Sequence, residues 1–331
     1  MKTERLFLTR HASAFRGGVG IESVELPILG PHDVLIRNRF AGINGLFDTV
    51  CVAGGVPYRP LSPGSGLGIE STGVVEDCGP RVTRLRIGDA VSSTAFGSAY
   101  RLHQVQAEDH VRKVTRATAE ACAIRPTGTS AWGALHKAGE LKAGDRVAIT
   151  AAAGGLGHFA VQLAKRGGAV VLGMCSGPAK VAFVKSLGAD RVVDYRNESL
   201  EGVLEAEFKD GLDVVMETTG GPLRPLLLEH IARRGRFLLC GSANSINPKD
   251  DVAEVDAFEK VYWKSASIRA FQNSQFPECD PEASDELFLA HALGEIVVRI
   301  DDRRFEGLGQ IADAVEHLLS GDSMGKVVVA L

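Results

Sequence analysis

The chain has 331 residues, 45% of them hydrophobic and 24% charged, with a formal net charge of -4. That length exceeds what one compact core organises, so two domains are expected, and the composition is that of a globular protein rather than a disordered one. Lysine and arginine are scattered, no apolar run of about 18 residues occurs, and the start MKTERLFLTRHASA lacks an apolar signal core, so neither nucleic acid, nor a membrane, nor export is expected.

Short β-like runs broken by Gly and Pro fill the first 125 residues: Leu6 to Arg10, Val34 to Gly42, Gly73 to Cys78, Asp89 to Ser93 and Ala99 to Val105. They predict a small β-barrel-like domain. From Thr129 helix and strand alternate. A helix at Ala131 to Gly139 leads to a strand at Val147 to Ala151, a helix at Leu156 to Lys165, a strand at Val170 to Met174 and a helix at Ala179 to Leu187. Strands at Val192 to Val193, Val214 to Met216 and Phe237 to Cys240 follow, with a helix at Leu223 to Arg233. This pattern predicts an α/β fold with a doubly wound parallel sheet. A β-run at Ser267 to Phe271, helices near Ser284 to Leu293 and Gly309 to Ser320, and a strand at Lys326 to Leu331 complete the chain, which has no internal repeat.

The most informative segment is Arg146-Val-Ala-Ile-Thr-Ala-Ala-Ala-Gly-Gly-Leu-Gly-His-Phe-Ala-Val-Gln-Leu-Ala-Lys165, an apolar strand running through a glycine-rich turn into an amphipathic helix. Ala153, Gly154, Gly155, Leu156 and Gly157 are the expected pyrophosphate cradle. Gly154 admits close backbone approach, Gly157 lets the helix pack on the strand, and the helix start favours negative charge. Ala152 stands where the first fingerprint glycine would be. The competing reading is a tight strand-to-helix turn with no ligand.

An acid about twenty residues past the glycines would bind a ribose 2'-hydroxyl and repel a 2'-phosphate, and none is present. Ser176, Lys180 and Tyr195 follow the next two strands and together could close around a phosphate dianion, one by charge and two by hydroxyl donors. Taken singly they read as a helix cap, a surface lysine and a partly buried tyrosine. Taken together, with the acid missing, they point to NADPH.

These residues resemble the quinone oxidoreductase-like medium-chain dehydrogenase/reductases over nearly the whole chain. The framework is Gly42-Ile-Asn-Gly-Leu-Phe-Asp48, Gly68-Ile-Glu70, Gly73-Val-Val, Gly88-Asp-Ala-Val91, Thr129-Ser-Ala131, the AAAGGLG turn and Gly325-Lys-Val-Val. Val147-Ala-Ile-Thr-Ala-Ala-Ala-Gly-Gly, Lys185-Ser-Leu-Gly-Ala-Asp190 and Lys264-Ser-Ala-Ser-Ile268 are similar to a prostaglandin reductase-like branch. The resemblance implies a Rossmann NADPH-binding domain (126–267) inserted into a GroES-like catalytic barrel (1–125 and 268–331), with the active cleft between them. It further implies that Gly241 and the backbone near Phe271 line the nicotinamide pocket and that Ser130 and Thr129 touch the nicotinamide, helix capping being the alternative. Lys326 joins the cofactor-binding set, and a homodimer is implied through the edge strand Ser267 to Phe271.

Zinc-dependent relatives hold a metal with thiolate and imidazole ligands. Here Asn44-Gly45 stands where a ligating Cys would be, and the Gly-His-Glu triplet reads Gly68-Ile69-Glu70, so no metal is expected. The six cysteines (Cys51, Cys78, Cys122, Cys175, Cys240, Cys279) lie far apart and suit reduced thiols in a cytosol. Without a Lewis acid the hydride acceptor must already be electrophilic: a quinone, an enone or an enoyl thioester. Asn44 is the candidate beside the nicotinamide ribose or substrate oxygen, and reads equally as a turn residue. Tyr58 and Tyr262 are the candidate proton donors, with solvent as the alternative. Glu70 and Asp48 are expected to be structural, buried against backbone amides or an arginine. Three functions remain: an NADPH-dependent enone or quinone reductase, an enoyl-thioester reductase using Arg59 or Arg101 at the pocket mouth, and an NADPH-binding protein without turnover.

Overall fold

Alternating buried and exposed residues start at the second position and build a hairpin of β1 (Lys2–Leu8) and β2 (Val19–Glu25), in register from Lys2 opposite Glu25 to Leu8 opposite Val19. The computed structural model describes residues 1–56, 59–241 and 257–331. They divide into two units, Met1–Pro126 with Arg299–Leu331, and Thr127–Val298.

The first unit continues with β3 (Asp33–Gly42), α1 (Gly45–Val52), β4 (Ser71–Cys78), β5 (Ala90–Ser93), β6 (His103–Ala107), β7 (Val111–Lys113) and α2 (Ala119–Ala123). The second unit holds α3 (Thr129–Gly133), β8 (Arg146–Ile149), α4 (Gly157–Arg166), β9 (Val170–Cys175), α5 (Pro178–Ser186), β10 (Arg191–Asp194) and α6 (Leu200–Glu207). It goes on through β11 (Leu212–Glu217), α7 (Leu223–Glu229), β12 (Ile231–Leu239), α8 (Ala257–Tyr262), β13 (Ser267–Ala270) and α9 (Cys279–Ala292). The chain then returns to the first unit with β14 (Phe305–Glu306), α10 (Ile311–Leu319) and β15 (Val328–Ala330).

In the first unit β3 organises the sheet. Its N-terminal half pairs antiparallel with β6 and its C-terminal end with β15 along one edge, while β4 runs along the other edge with register shifts on either side of Ile36–Asn38. The strand order is β14-β15-β3-β4-β5-β7, with β6 on β3. Leu6, Leu8, Ile43, Val52, Tyr100, Val327 and Val329 form the core together with Ile311, Ala314 and Val315. The last three lie at the three- and four-residue spacing that turns one face of α10 inward.

The second unit is a six-stranded parallel sheet in the order β10-β9-β8-β11-β12-β13. This is the dinucleotide-binding strand order, whose direction of winding reverses between β8 and β11. Every residue of α4 from Gly157 to Ala164 is buried. The strands contribute Ala148, Leu172, Met174, Val193, Val215 and Phe237 to a core closed by Leu204 of α6 and Leu227 and Leu228 of α7.

Three expectations are corrected. The return expected at residue 268 comes at Arg299. β13 is the sixth strand of the parallel sheet, and Glu286 of α9 accepts the Trp132 indole N–H of α3 at 2.7 Å, so both elements stay with the second unit. The helix expected to reach Arg233 ends at Glu229, because Ile231 and Ala232 bury themselves in β12 and Ile231 pairs with Leu212. The last strand starts at Val328 rather than Lys326. Among the elements that went unforeseen are β2, whose residues are half-buried at most, and α1, which begins at a turn-like Asn-Gly.

Ile311→Ala removes a fully buried side chain of the first core and is expected to cost about 2–5 kcal/mol, read as a lower urea midpoint. Leu319→Ala, 41% exposed on the same helix, is expected to change stability by no more than about 0.5 kcal/mol.

Candidate active site

After β8 the chain turns through Ala151 in a left-handed conformation (φ 47°), buries Ala152 and Ala153, and enters α4 at Gly157. A Cβ on Gly157 would lie 2.2 Å from the Ala151 carbonyl oxygen, so only glycine lets the helix start this close to the turn. A Cβ on Gly154 would come within 3.2 Å of the same oxygen. Ala152 donates its amide to Met174 O at 2.9 Å and packs beside Gly173, where an added Cβ would sit 3.2 Å from its methyl. An alanine is therefore accommodated at the first fingerprint position by a glycine on the neighbouring strand. Gly154, Gly155 and Leu156 are half-buried, leaving bare backbone at the start of a ten-residue helix. These residues fit a pyrophosphate.

Ser176, Lys180 and Tyr195 all follow the C-terminal ends of the neighbouring strands β9 and β10. Ser176 is buried just past β9, Lys180 sits in the first turn of α5, and the Tyr195 amide donates to Cys175 O at 3.2 Å. Burial, aided by the Asp194 charge, pushes the Cys175 thiol up to about 11, and Lys180 is near enough to oppose the shift. Asp194 also lies here. Its carboxylate accepts from Asn197 Nδ2 at 2.8 Å and Arg196 N at 3.2 Å, bonds that with the Gly177 amide hold it ionised below the usual range.

At the winding reversal, Thr150 after β8 and Thr218 after β11 are joined by hydroxyl contact at 3.0 Å, and the Thr218 amide donates to Thr150 Oγ1 at 2.8 Å. Fully buried Glu217 clamps the loop that follows. One oxygen accepts from Thr219 N and Gly220 N at 2.7 and 2.5 Å, and the other accepts from Arg224 Nε and Nη2 at 3.0 and 2.8 Å. Arg224 also reaches Gly241 O at 3.4 Å, and a Cβ on Gly241 would lie 3.0 Å from Thr218 O. Phe271 is buried, stacks on Phe276 at 4.9 Å and fills the space a Gly133 Cβ would need. Ser130 is half-buried in α3, a helix whose N-terminus no side chain caps.

The first unit gathers a second set of functional groups, all buried save half-buried Asn44. Lys326 Nζ lies 2.5 Å from Glu70 Oε1 and donates to Asn44 Oδ1 at 3.0 Å. Asp48 Oδ2 accepts from the Tyr100 hydroxyl at 2.6 Å and from the Asn44 amide at 2.9 Å. Glycines make the room: a Gly42 Cβ would collide with the Glu70 carboxylate at 1.9 Å and a Gly68 Cβ with the Tyr100 ring at 2.6 Å. Burial raises the Asp48 carboxyl above its usual range against the opposing Tyr100, Asn44 and Lys326 contacts. It raises Glu70 too, against Lys326 and Asn44. Burial and the Asp48 and Glu70 charges push the Tyr100 phenol far up, so it stays a donor.

Tyr58 lies outside the described residues. Tyr262 is 59% exposed, packed against Phe258 and Trp263 at 5.0 and 4.9 Å, and its hydroxyl has no partner among the described residues. Within the first unit Asn44 shares the Asp48 carboxylate with a different phenol. That phenol, Tyr100, was not anticipated, nor were Thr150, Thr218, Glu217 and Arg224. Gly68 was the one available signal for Tyr100, as a glycine kept where a ring must pass. Among the described residues no group of three or more His, Cys, Asp or Glu gathers as a metal-ligand set.

Two family signatures match the chain, the alcohol dehydrogenase GroES-like domain over residues 30–186 and the zinc-binding dehydrogenase over 155–286. Prostaglandin reductase-3 of Mus musculus is 35% identical over 99% of this chain and 89% of its own length. The chain belongs to the quinone oxidoreductase-like medium-chain dehydrogenase/reductases. A probable quinone oxidoreductase of Leishmania amazonensis is 32% identical over 96% of this reductase and 94% of its own chain. The Escherichia coli quinone oxidoreductase solved with NADPH matches with a TM-score of 0.82 and 27% identity, over 99% of this reductase and 100% of that chain. The reductase is thus an oxidoreductase built from a GroES-like domain and a Rossmann-type parallel sheet.

Two substitutions probe this architecture. Gly157→Ala is expected to destabilise the reductase by about 1–3 kcal/mol, read as a lower melting temperature, because its clash is with backbone. Asp48→Asn keeps one oxygen for both donors and removes a buried charge. A carboxyl raised by burial binds its proton more tightly folded than unfolded, so it favours folding in acid and that contribution is lost as pH rises through the raised value. Asp48→Asn is therefore expected to be the more stable protein at about pH 8, with a flatter stability profile down to about pH 5 in urea titrations.

Proposed function

We propose that the protein transfers hydride from NADPH to an activated C=C bond or a quinone, without zinc. What supports this most is that Ser176, Lys180 and Tyr195 follow the C-terminal ends of the paired strands β9 and β10, as the turn at Gly154–Gly157 follows β8. A cation and two hydroxyls suit a 2'-phosphate dianion. Asp194, at the end of β10, already accepts from three N–H groups.

Bound NADPH supplies the hydride. Gly154 to Gly157 hold the pyrophosphate through backbone amides, and Thr218, Gly241, Phe271 and Ser130 shape the nicotinamide pocket. Ile69 cannot ligate a metal, which restricts the acceptor to one whose carbonyl or quinone already withdraws electrons. Asn44 orients against Lys326, and the two bring an amide dipole and a buried cation to the corner where charge develops on oxygen. Tyr58 and Tyr262 are the phenols proposed to return the proton; the exposure of Tyr262 favours Tyr58 or solvent. The substrate is small and largely apolar. The six free thiols accord with a cytosolic location, and no helix among the described residues is long and apolar enough to cross a membrane. A homodimer would form through β13, the sheet's last strand, where Ile268 is 42% exposed.

NADPH consumption at 340 nm, with NADH in parallel, is to be followed against a small quinone, an alkyl enone and crotonyl-CoA. Turnover of the enone or quinone with NADPH is the expected result. Turnover of crotonyl-CoA alone would replace it with an enoyl-thioester reductase, and tight NADPH binding without any turnover would indicate a non-catalytic role. In Lys180→Ala the KM for NADPH is expected to rise about tenfold or more, the loss of one charge-assisted contact, with the KM for NADH unchanged.

A further inference from the structure

Two arginines of the first unit face each other across an antiparallel bridge, Arg5 on β1 and Arg101 just before β6. Like charges directly opposite are destabilising. Only one of them is compensated. Arg5 gives Nε and Nη2 to Glu22 Oε1 at 2.9 and 2.7 Å, and Nη2 also to Gly64 O at 2.8 Å. The Arg101 guanidinium has no hydrogen bond or ion pair among the described residues, and its Nε is buried without a partner. Burial and the adjacent Arg5 charge hold it below the usual arginine range.

The uncommitted nitrogens converge. A Cβ added to Gly66 would lie 3.3 Å from Arg101 Nη2 and 3.5 Å from Arg5 Nη1, the one Arg5 nitrogen that makes no bond. The same point is 2.4 Å from Gly97 O, so position 66 stays bare backbone and no side chain there can neutralise the pair. Across β2, β1 and the Arg101 strand the charges run minus, plus, plus. A half-buried guanidinium with five donors and no acceptor costs free energy unless something supplies the missing negative charge.

We infer that Arg101, with Arg5, forms an anion subsite that takes a carboxylate or phosphate carried by an otherwise apolar substrate. Its link to the reacting end lies within the same unit. Tyr100, next to Arg101, reaches Asp48 beside Asn44, and the run Gly66 to Glu70 separates the two places by at most about 14 Å. A planar fork is the side chain suited to bidentate capture of either anion. The assignment to substrate rests on the reductase function proposed above; the presence of an anion site does not.

The experiment has two arms. In the first, melting temperature is measured with sodium phosphate, with hexanoate and with chloride at equal ionic strength, for the unmodified protein, Arg101→Gln and Arg101→Lys. Phosphate or hexanoate is expected to stabilise the unmodified protein above chloride and to lose that effect in Arg101→Gln. Without added anion Arg101→Gln is expected to melt no lower than the unmodified protein, because an uncompensated charge has gone. In the second arm, kcat/KM is compared for a carboxylate-ended enone against its methyl ester, and for crotonyl-CoA against crotonyl-N-acetylcysteamine. One pair is expected to favour its anionic member by about tenfold or more, about 1.4 kcal/mol, carried by KM and lost in Arg101→Gln. Preference in the first pair identifies a carboxylate tail, and in the second a phosphopantetheine phosphate. Equal anion stabilisation in the unmodified protein and Arg101→Gln, or an anionic preference that survives Arg101→Gln, overturns the subsite. If no acceptor is turned over, the reductase reading fails while the melting arm still decides the site.

Discussion

The contact between Glu70 and Lys326 joins parts of the first unit that lie far apart in the chain. Glu70 stands at the entry to β4 and Lys326 at the entry to β15, near the other end of the chain. Neither charge has water to lean on, and the effective penalty of leaving either alone would be several kcal/mol. Lys326 must therefore come to Glu70, and the chain that returns from the second unit is fixed in register beside β3. Asn44 completes the arrangement, its oxygen held by the ammonium and its backbone amide by Asp48. Gly42 and Gly68 exist as glycines because the carboxylate and the Tyr100 ring need their space. Three of the framework motifs, Gly42 to Asp48, Gly68 to Glu70 and Gly325-Lys326, are thus pieces of one buried polar cluster.

The second unit solves a different problem with backbone. Its turn carries no charge of its own. What it offers is bare amide at the start of α4, made accessible by the approach of Gly157 to Ala151 O and by the alanine-for-glycine exchange that Gly173 permits. Strand order then does the placing. Winding reverses between β8 and β11, the place where such sheets take a dinucleotide, and there the Thr150 to Thr218 contact and the Glu217 to Arg224 clamp fix the loops that follow the two strands. Satisfying a fully buried carboxylate with five donors rigidifies the loop at Thr219 and Gly220 and holds Arg224 against Gly241.

The charges of the polar cluster, Lys326 with Glu70 and Asp48 with Tyr100, have partners inside the protein, whereas the Arg101 charge has none among the described residues. Buried charge in folded chains is normally paired, and an exception is a place where the fold alone does not minimise the free energy. Glu22 compensates Arg5, and among the described residues no acid pairs with Arg101. That local imbalance separates a side chain held for packing from one held for a ligand.

By itself the sequence determined the alternation of strand and helix, the glycine-rich turn with Ser176, Lys180 and Tyr195 after it, and the absence of a ligand at Ile69, since all of these are read from residue type at short separation. It could not place β13 and α9 with the second unit, because the hydrophobic period of a strand does not say which sheet receives it. Nor could it pair Glu70 with Lys326 rather than an arginine, or find Tyr100 beside Asp48. The tertiary structure alone brought together residues more than fifty or two hundred positions apart, because buried charges and donors choose partners by distance in space, which no local pattern encodes. The same reason hid the Arg5 and Arg101 pair, two ordinary arginines until a bridge between strands set them face to face.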